Sequence, residues 1–118
     1  MKTEIKYKVV NSWGYSAIAS GDACIKYEID EYVTAPEWLR KKGYYPFVFN
    51  SLKDGKAFAG VHNARLFKVR VKGNHRKENL PRFLDTRYLA ERVVKEITGV
   101  FVANTEMWEY VKLLEEIK

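Results

Sequence analysis

The sequence predicts an α+β fold: a mainly antiparallel sheet with two C-terminal helices and one or two short helices packed on it. Three observations support this. Several stretches of the N-terminal two thirds alternate apolar and polar residues, capping residues frame two short segments between them, and apolar residues four apart recur in the last third.

In "TEIKYKVV", Ile5, Tyr7 and Val9 alternate with Lys6, Lys8 and Val10, the mark of a strand with one buried face. "NSWG" follows as a turn built on Asn11, Ser12 and Gly14. "YSAIA" reads as a short strand, "SGDA" as a turn, and "CIKYEID" as a strand with Ile25, Tyr27 and Ile29 on one face. "TAPEWLRKKG" predicts a helix of about two turns, with Thr34 and Glu37 as a capping box, Pro36 in the first turn and Gly43 at the end. Pro46 biases Tyr45 toward extended backbone, leading into a strand in which Phe47 and Phe49 share a face. Ser51 then stands where a helix N-cap should, and Asp54 complements the positive end of the short helix that Gly60 closes.

"RLFKVRVKG" is the clearest strand, with Phe67, Val69 and Val71 facing one way and Lys68, Arg70 and Lys72 the other. "GNHRKENLPR" reads as a loop. Asp85 or Thr86 caps the expected helix "RYLAERVVKEI", in which Leu89, Val93 and Ile97 lie four apart, and Gly99 stops it. "VFVA" is a short strand. A last helix opens at Asn104 or Thr105, with Glu106 and Glu109 at its positive end and Met107, Trp108, Val111 and Leu114 available to the core.

A chain of 118 residues with 47% hydrophobic content fits one domain spanning 1–118. Its start alternates charged and apolar residues and no apolar run reaches the roughly 18 residues of a membrane helix, so the expected setting is the cytosol of the cell or host. One cysteine, Cys24, allows neither an internal disulfide nor a cysteine-based zinc site, and no cofactor is expected. The net charge of +6 is unevenly spread. Residues 1–39 and 83–118 each carry −2, whereas 40–82 hold twelve cations against Asp54 and Glu78, a segment charge of +10 that argues for a polyanionic partner.

The basic face of "RLFKVRVKG" is the first candidate for chemistry. Alternate residues on a strand lie roughly 6.6 to 6.8 Å apart, close to the phosphate spacing of a nucleic-acid strand. Lys68, Arg70 and Lys72 match that spacing, Arg65, Arg76, Lys77 and Arg82 extend the track, and Tyr44 and Tyr45 supply rings for stacking bases. The second candidate is an enzyme site in "NHRKEN", with His75 as acid or base, Glu78 as its partner and Arg76 as an anion clamp. His62 is the only other histidine, and no metal-ligand spacing is present. The N-terminus of the Ser51 helix, with Lys53 and Lys56, lacks the spaced glycines of a phosphate loop and reads as packing. A third expectation is a docking face, on a host protein or in a homodimer, made of Trp13, Tyr15, Tyr44 and Tyr45.

The run from "SAIASGDACIKYEID" through "FVFNSLKDGKAFAG" to "LFKVRVKG" resembles small uncharacterised proteins of phages, archaeal viruses and related mobile elements. That resemblance implies a host-cell setting. The layout is also similar to that of small ADP-ribosyltransferase-like domains, which would imply an enzyme, although that family's nucleotide-binding and acidic catalytic residues do not map onto this chain.

Overall fold

A computed structural model of the chain describes residues 3–15, 19–21, 25–77, 83–86, 95–97 and 105–118. In chain order these form β1 (Thr3–Val10), β2 (Ala19–Gly21), β3 (Tyr32–Val33), α1 (Glu37–Lys41), β4 (Phe47–Phe49), α2 (Leu52–Val61), β5 (Arg65–Arg76), β6 (Phe83–Thr86), β7 (Lys95–Ile97) and β8 (Thr105–Ile117). The mainly antiparallel main sheet runs β3-β8-β4-β1-β5, and β5 also pairs with β8. β1, β5, β8 and β4 therefore close into a ring, which leaves few free edges. β2, β6 and β7 form a separate three-stranded sheet.

The ring has an inner and an outer apolar cluster, because alternate residues of each strand point to opposite sides. Inside lie Val10, Val48, Phe67, Val69, Val71, Trp108, Val111 and Leu113, with Tyr27 packed among them. Outside, Val9, Phe47, Phe49, Leu66 and Met107 meet Leu39 of α1 and Ala59 of α2. The capping signals place α2 there. Ser51 is its N-cap and its hydroxyl accepts from the Asp54 amide. Gly55 lets the helix sit close, since a Cβ at that position would stand 3.0 Å from Leu66 Cδ1. Asn63, at φ 50°, takes the left-handed position after the helix that Gly60 was expected to supply.

Several expectations are corrected. The last helix is the strand β8, hydrogen-bonded along both edges to β3, β4 and β5. Its first four residues, Thr105 to Trp108, are all buried, so the alternation that marks a half-exposed strand is missing, and Met107 and Val111 imitate a helical stripe. Most of the other C-terminal helix, over 87–97, lies outside the described residues, as does the strand expected over 100–103. Asp85 and Thr86, its expected caps, belong to β6, and Lys95–Ile97 pairs antiparallel with that strand.

Gly73–Arg76 continue β5 instead of opening a loop. Gly73, at φ +89°, makes this continuation through a bulge in the pairing with β8, where a Cβ would stand 2.8 Å from Glu109 Oε1. Ile25–Asp30 make isolated bridges through Lys26 and Ile29 instead of a strand, and Ser20 and Gly21 lie in β2 instead of a turn; Cys24, the rest of that turn (22–23) and most of the strand expected over 15–19 lie outside the described residues. The Thr34–Glu37 capping box does not form; Pro36 holds the N-cap position of α1 and Thr34 Oγ1 is buried without a partner among the described residues.

β1 departs from its expected polarity. Ile5 is 42% exposed, whereas Lys6 and Lys8 are 6% and 1% exposed. Closure of the ring turns the lysine-bearing side of β1 inward, toward Phe67 and Val69 of β5.

Candidate nucleic-acid interface

β5 alternates buried Phe67, Val69 and Val71 with half-buried Lys68, Arg70 and Lys72, which puts the three cations on the outer side of the ring. Register then fixes their neighbours, because directly paired residues share a face. Arg70 lies opposite Ile5 of β1 and Lys112 of β8, and Lys112 in turn lies opposite Tyr32 of β3. Lys72 lies opposite Thr3 and Tyr110, and Lys68 opposite Tyr7 and Glu115. Four strands thus present a patch with Arg70 at its centre. The helices leave this part of the wall open, as the exposure of Ile5 shows.

The charges on the patch are poorly balanced. Lys68 Nζ is 3.9 Å from Glu115, a weak exposed pair. Among the described residues Arg70, Lys72 and Lys112 have no carboxylate partner. Instead the ammonium groups of Lys72 and Lys112 both lie over the Tyr32 ring, 4.0 and 4.8 Å from its centroid. Lys112, 40 positions beyond Lys72 in the chain, was missed from sequence because the segment carrying it reads as a helix.

The longer track read from sequence divides. Arg65 has its guanidinium on Glu116, with Nη2 2.8 Å from Oε1, and its cation 5.0 Å from the Phe67 ring. The hydrogen bond from Arg65, opposed by slight desolvation, holds the Glu116 carboxyl below the usual carboxylate range, and the same bond raises the Arg65 pKa. Arg76 and Lys77 lie beyond the bulge, over the rings of Tyr44 and Trp108 respectively. Arg82 lies outside the described residues. Tyr44 and Tyr45 are half-buried against the outer core cluster, whereas Trp13 and Tyr15 are exposed.

Of the residues of the enzyme reading, His75 and Arg76 close the strand β5 beyond its bulge. His75 stacks on Trp108, with ring centroids 4.5 Å apart and planes 28° from parallel, and Glu78 lies outside the described residues. His62 stacks on Phe58 at 4.2 Å. A surface groove of about 440 Å³ between the end of α2 and the ends of β5 and β8 is lined by Lys56, Arg65, Leu66 and Ile117 among others, and by neither histidine. No group of residues that could hold a metal ion occurs among the described residues, and none of their helices is long and apolar enough to cross a membrane.

A further charged group lies inside the ring. Lys6 Nζ is 3.3 Å from Glu106 and 3.4 Å from Glu4, and donates to Asn50 Oδ1. Glu106 Oε1 also accepts from Trp108 Nε1 at 2.8 Å. Lys8 donates to the Phe47 carbonyl and lies 4.9 Å from the Tyr27 ring centroid. No family model, curated protein or solved structure matches the chain.

Proposed function

We propose that the chain binds nucleic acid, or a polyanion of similar charge spacing, through phosphate contacts on the outer face of β1, β5 and β8. The supporting observation is the direct pairing of Arg70 with Lys112, beside Lys72, with no carboxylate among the described residues to balance these three. Like charges opposite one another on a sheet cost stability, and a bound phosphate backbone relieves that repulsion. Lys68, Arg70 and Lys72 follow the strand at close to phosphate spacing, and Lys112 widens the track to a patch. Contacts of this kind fix a backbone and carry little base preference.

The test is fluorescence anisotropy with a labelled oligonucleotide across a salt series. Four phosphate contacts give a log–log salt slope of about −3, and R70A/K72A/K112A flattens it by about 2. The reading fails if the wild-type chain shows no binding at low salt, or if the triple variant keeps both affinity and slope.

A further inference from the structure

We infer that Trp13 stacks on an unpaired base, so that the nucleic acid held by the basic face is single-stranded where it passes the β1 turn. This rests on the phosphate-binding reading above and narrows it to one ligand class.

Trp13 is 76% exposed, although an indole normally finds cover in a fold with this much core. Its backbone is nevertheless fixed. Asn11 Oδ1 accepts from the amides of Trp13 and Tyr15 at 2.9 and 3.0 Å, and the Gly14 carbonyl accepts from the Tyr27 amide. Gly14 is held at φ +88°, and a Cβ there would lie 3.4 Å from the Tyr27 carbonyl oxygen. A side chain displayed on an ordered turn loses less entropy on binding than one on a mobile loop.

The location suits a strand that follows the cations. Val10, three residues before Trp13, is paired with Arg65, the first residue of β5. The outer cations Lys68, Arg70 and Lys72 cover roughly 13 Å of β5, enough for about two to three phosphates, and their strand begins at Arg65, three residues before Lys68. A nucleic-acid strand leaving the patch at the Lys68 end, toward the start of β5, therefore runs toward the Trp13 turn. Base–indole stacking tolerates any sequence, as does phosphate contact. In a duplex the base faces are covered by their neighbours, and an indole reaches one only by opening a step, which has a free-energy cost. The combination selects single strands.

The experiment compares a labelled oligothymidine with a duplex of equal length, binding to the full chain and to W13A and W13F, with circular dichroism to verify folding. Oligothymidine affinity is expected to fall roughly 5- to 100-fold in W13A and less in W13F, while duplex binding and the salt slope stay at wild-type values. If wild type binds oligothymidine and W13A binds it equally well, the stacking role is wrong and the phosphate reading stands. If wild type binds neither probe, the phosphate reading falls and the stacking role falls with it. If W13A converts a dimer of the free protein to a monomer in sedimentation, Trp13 belongs to an interface between copies and the inference is overturned.

Discussion

On the inner face of the ring, Lys6 and Lys8 are almost fully buried and each ammonium has fixed partners, whereas on the outer face Arg70, Lys72 and Lys112 are half-buried with no carboxylate among the described residues. The difference follows from solvation. An ammonium taken out of water costs several kcal/mol unless charge and hydrogen bonds replace the water, so the inner lysines require Glu106, Asn50 and the Phe47 carbonyl. Water screens the outer cations, and their mutual repulsion is small enough to persist. A cation with its partners built in serves the fold, and one left without them is available to a ligand.

The strongest way to break this comparison is to remove an inner partner. Glu106→Ala leaves Lys6 without its best-buried carboxylate, since the two side chains are 8% and 9% exposed, and also takes the acceptor from Trp108 Nε1. A loss of about 3 kcal/mol in urea unfolding is expected. Lys6→Met combined with Glu106→Met removes both charges together and should recover the part of that loss due to the unpaired ammonium, while Trp108 Nε1 still lacks its acceptor. If Glu106→Ala stays within about 0.5 kcal/mol of wild type, the inner pair is not structural.

The same contrast explains what the sequence could and could not reveal. The wall of β5 is legible because one side is apolar and the other basic, so period 2 is visible, and the Ser51 cap is legible because it is local. β1 shows equally clean alternation, yet its lysines face inward, because period 2 separates two faces without saying which one a closing sheet will cover. β8 was misread because long-range pairing on both edges outweighs the helix propensity of its glutamates, and no local signal reports such pairing. Lys112 was lost to the patch with it. Alternation is enough to set Lys68, Arg70 and Lys72 on one side of β5, whereas no local signal reports the Arg65–Glu116 ion pair or the bulge that separates Arg76 and Lys77 from them.

The outer face makes the opposite prediction to the inner one. Arg70→Glu places a carboxylate among Lys68, Lys72 and Lys112 and removes no ion pair seen among the described residues. Stability should rise by about 0.5 kcal/mol, while oligonucleotide affinity should fall at least tenfold. The divergence of the two readouts is the signature of a surface that gives up stability for binding. If unfolding and binding both weaken, Arg70 is a structural residue and the two faces are not distinct in kind.

The smallest effect belongs to the pair that lies between these extremes. Arg65 and Glu116 have an outer-face degree of exposure, 43% and 27% for the side chains, and an inner-face geometry, with Nη2 at 2.8 Å and Nε at 3.3 Å from one carboxylate oxygen. The Glu116 pKa is lowered in the folded chain, so the unfolded chain takes up a proton first as acid is added. The pair's contribution is therefore complete above the usual carboxylate range and is lost as pH falls through and below it. Arg65 stays protonated throughout, so no matching loss occurs on the alkaline side. Exposure and side-chain entropy keep the contribution small, and screening at high salt reduces it further. Comparing acid unfolding of wild type and Arg65→Met at low and high salt should therefore show curves that differ slightly at low salt, only above the acid range, and converge at high salt. A difference that persists at high salt would place this pair with the inner network, because only water-excluded charges escape the screening that separates the two faces.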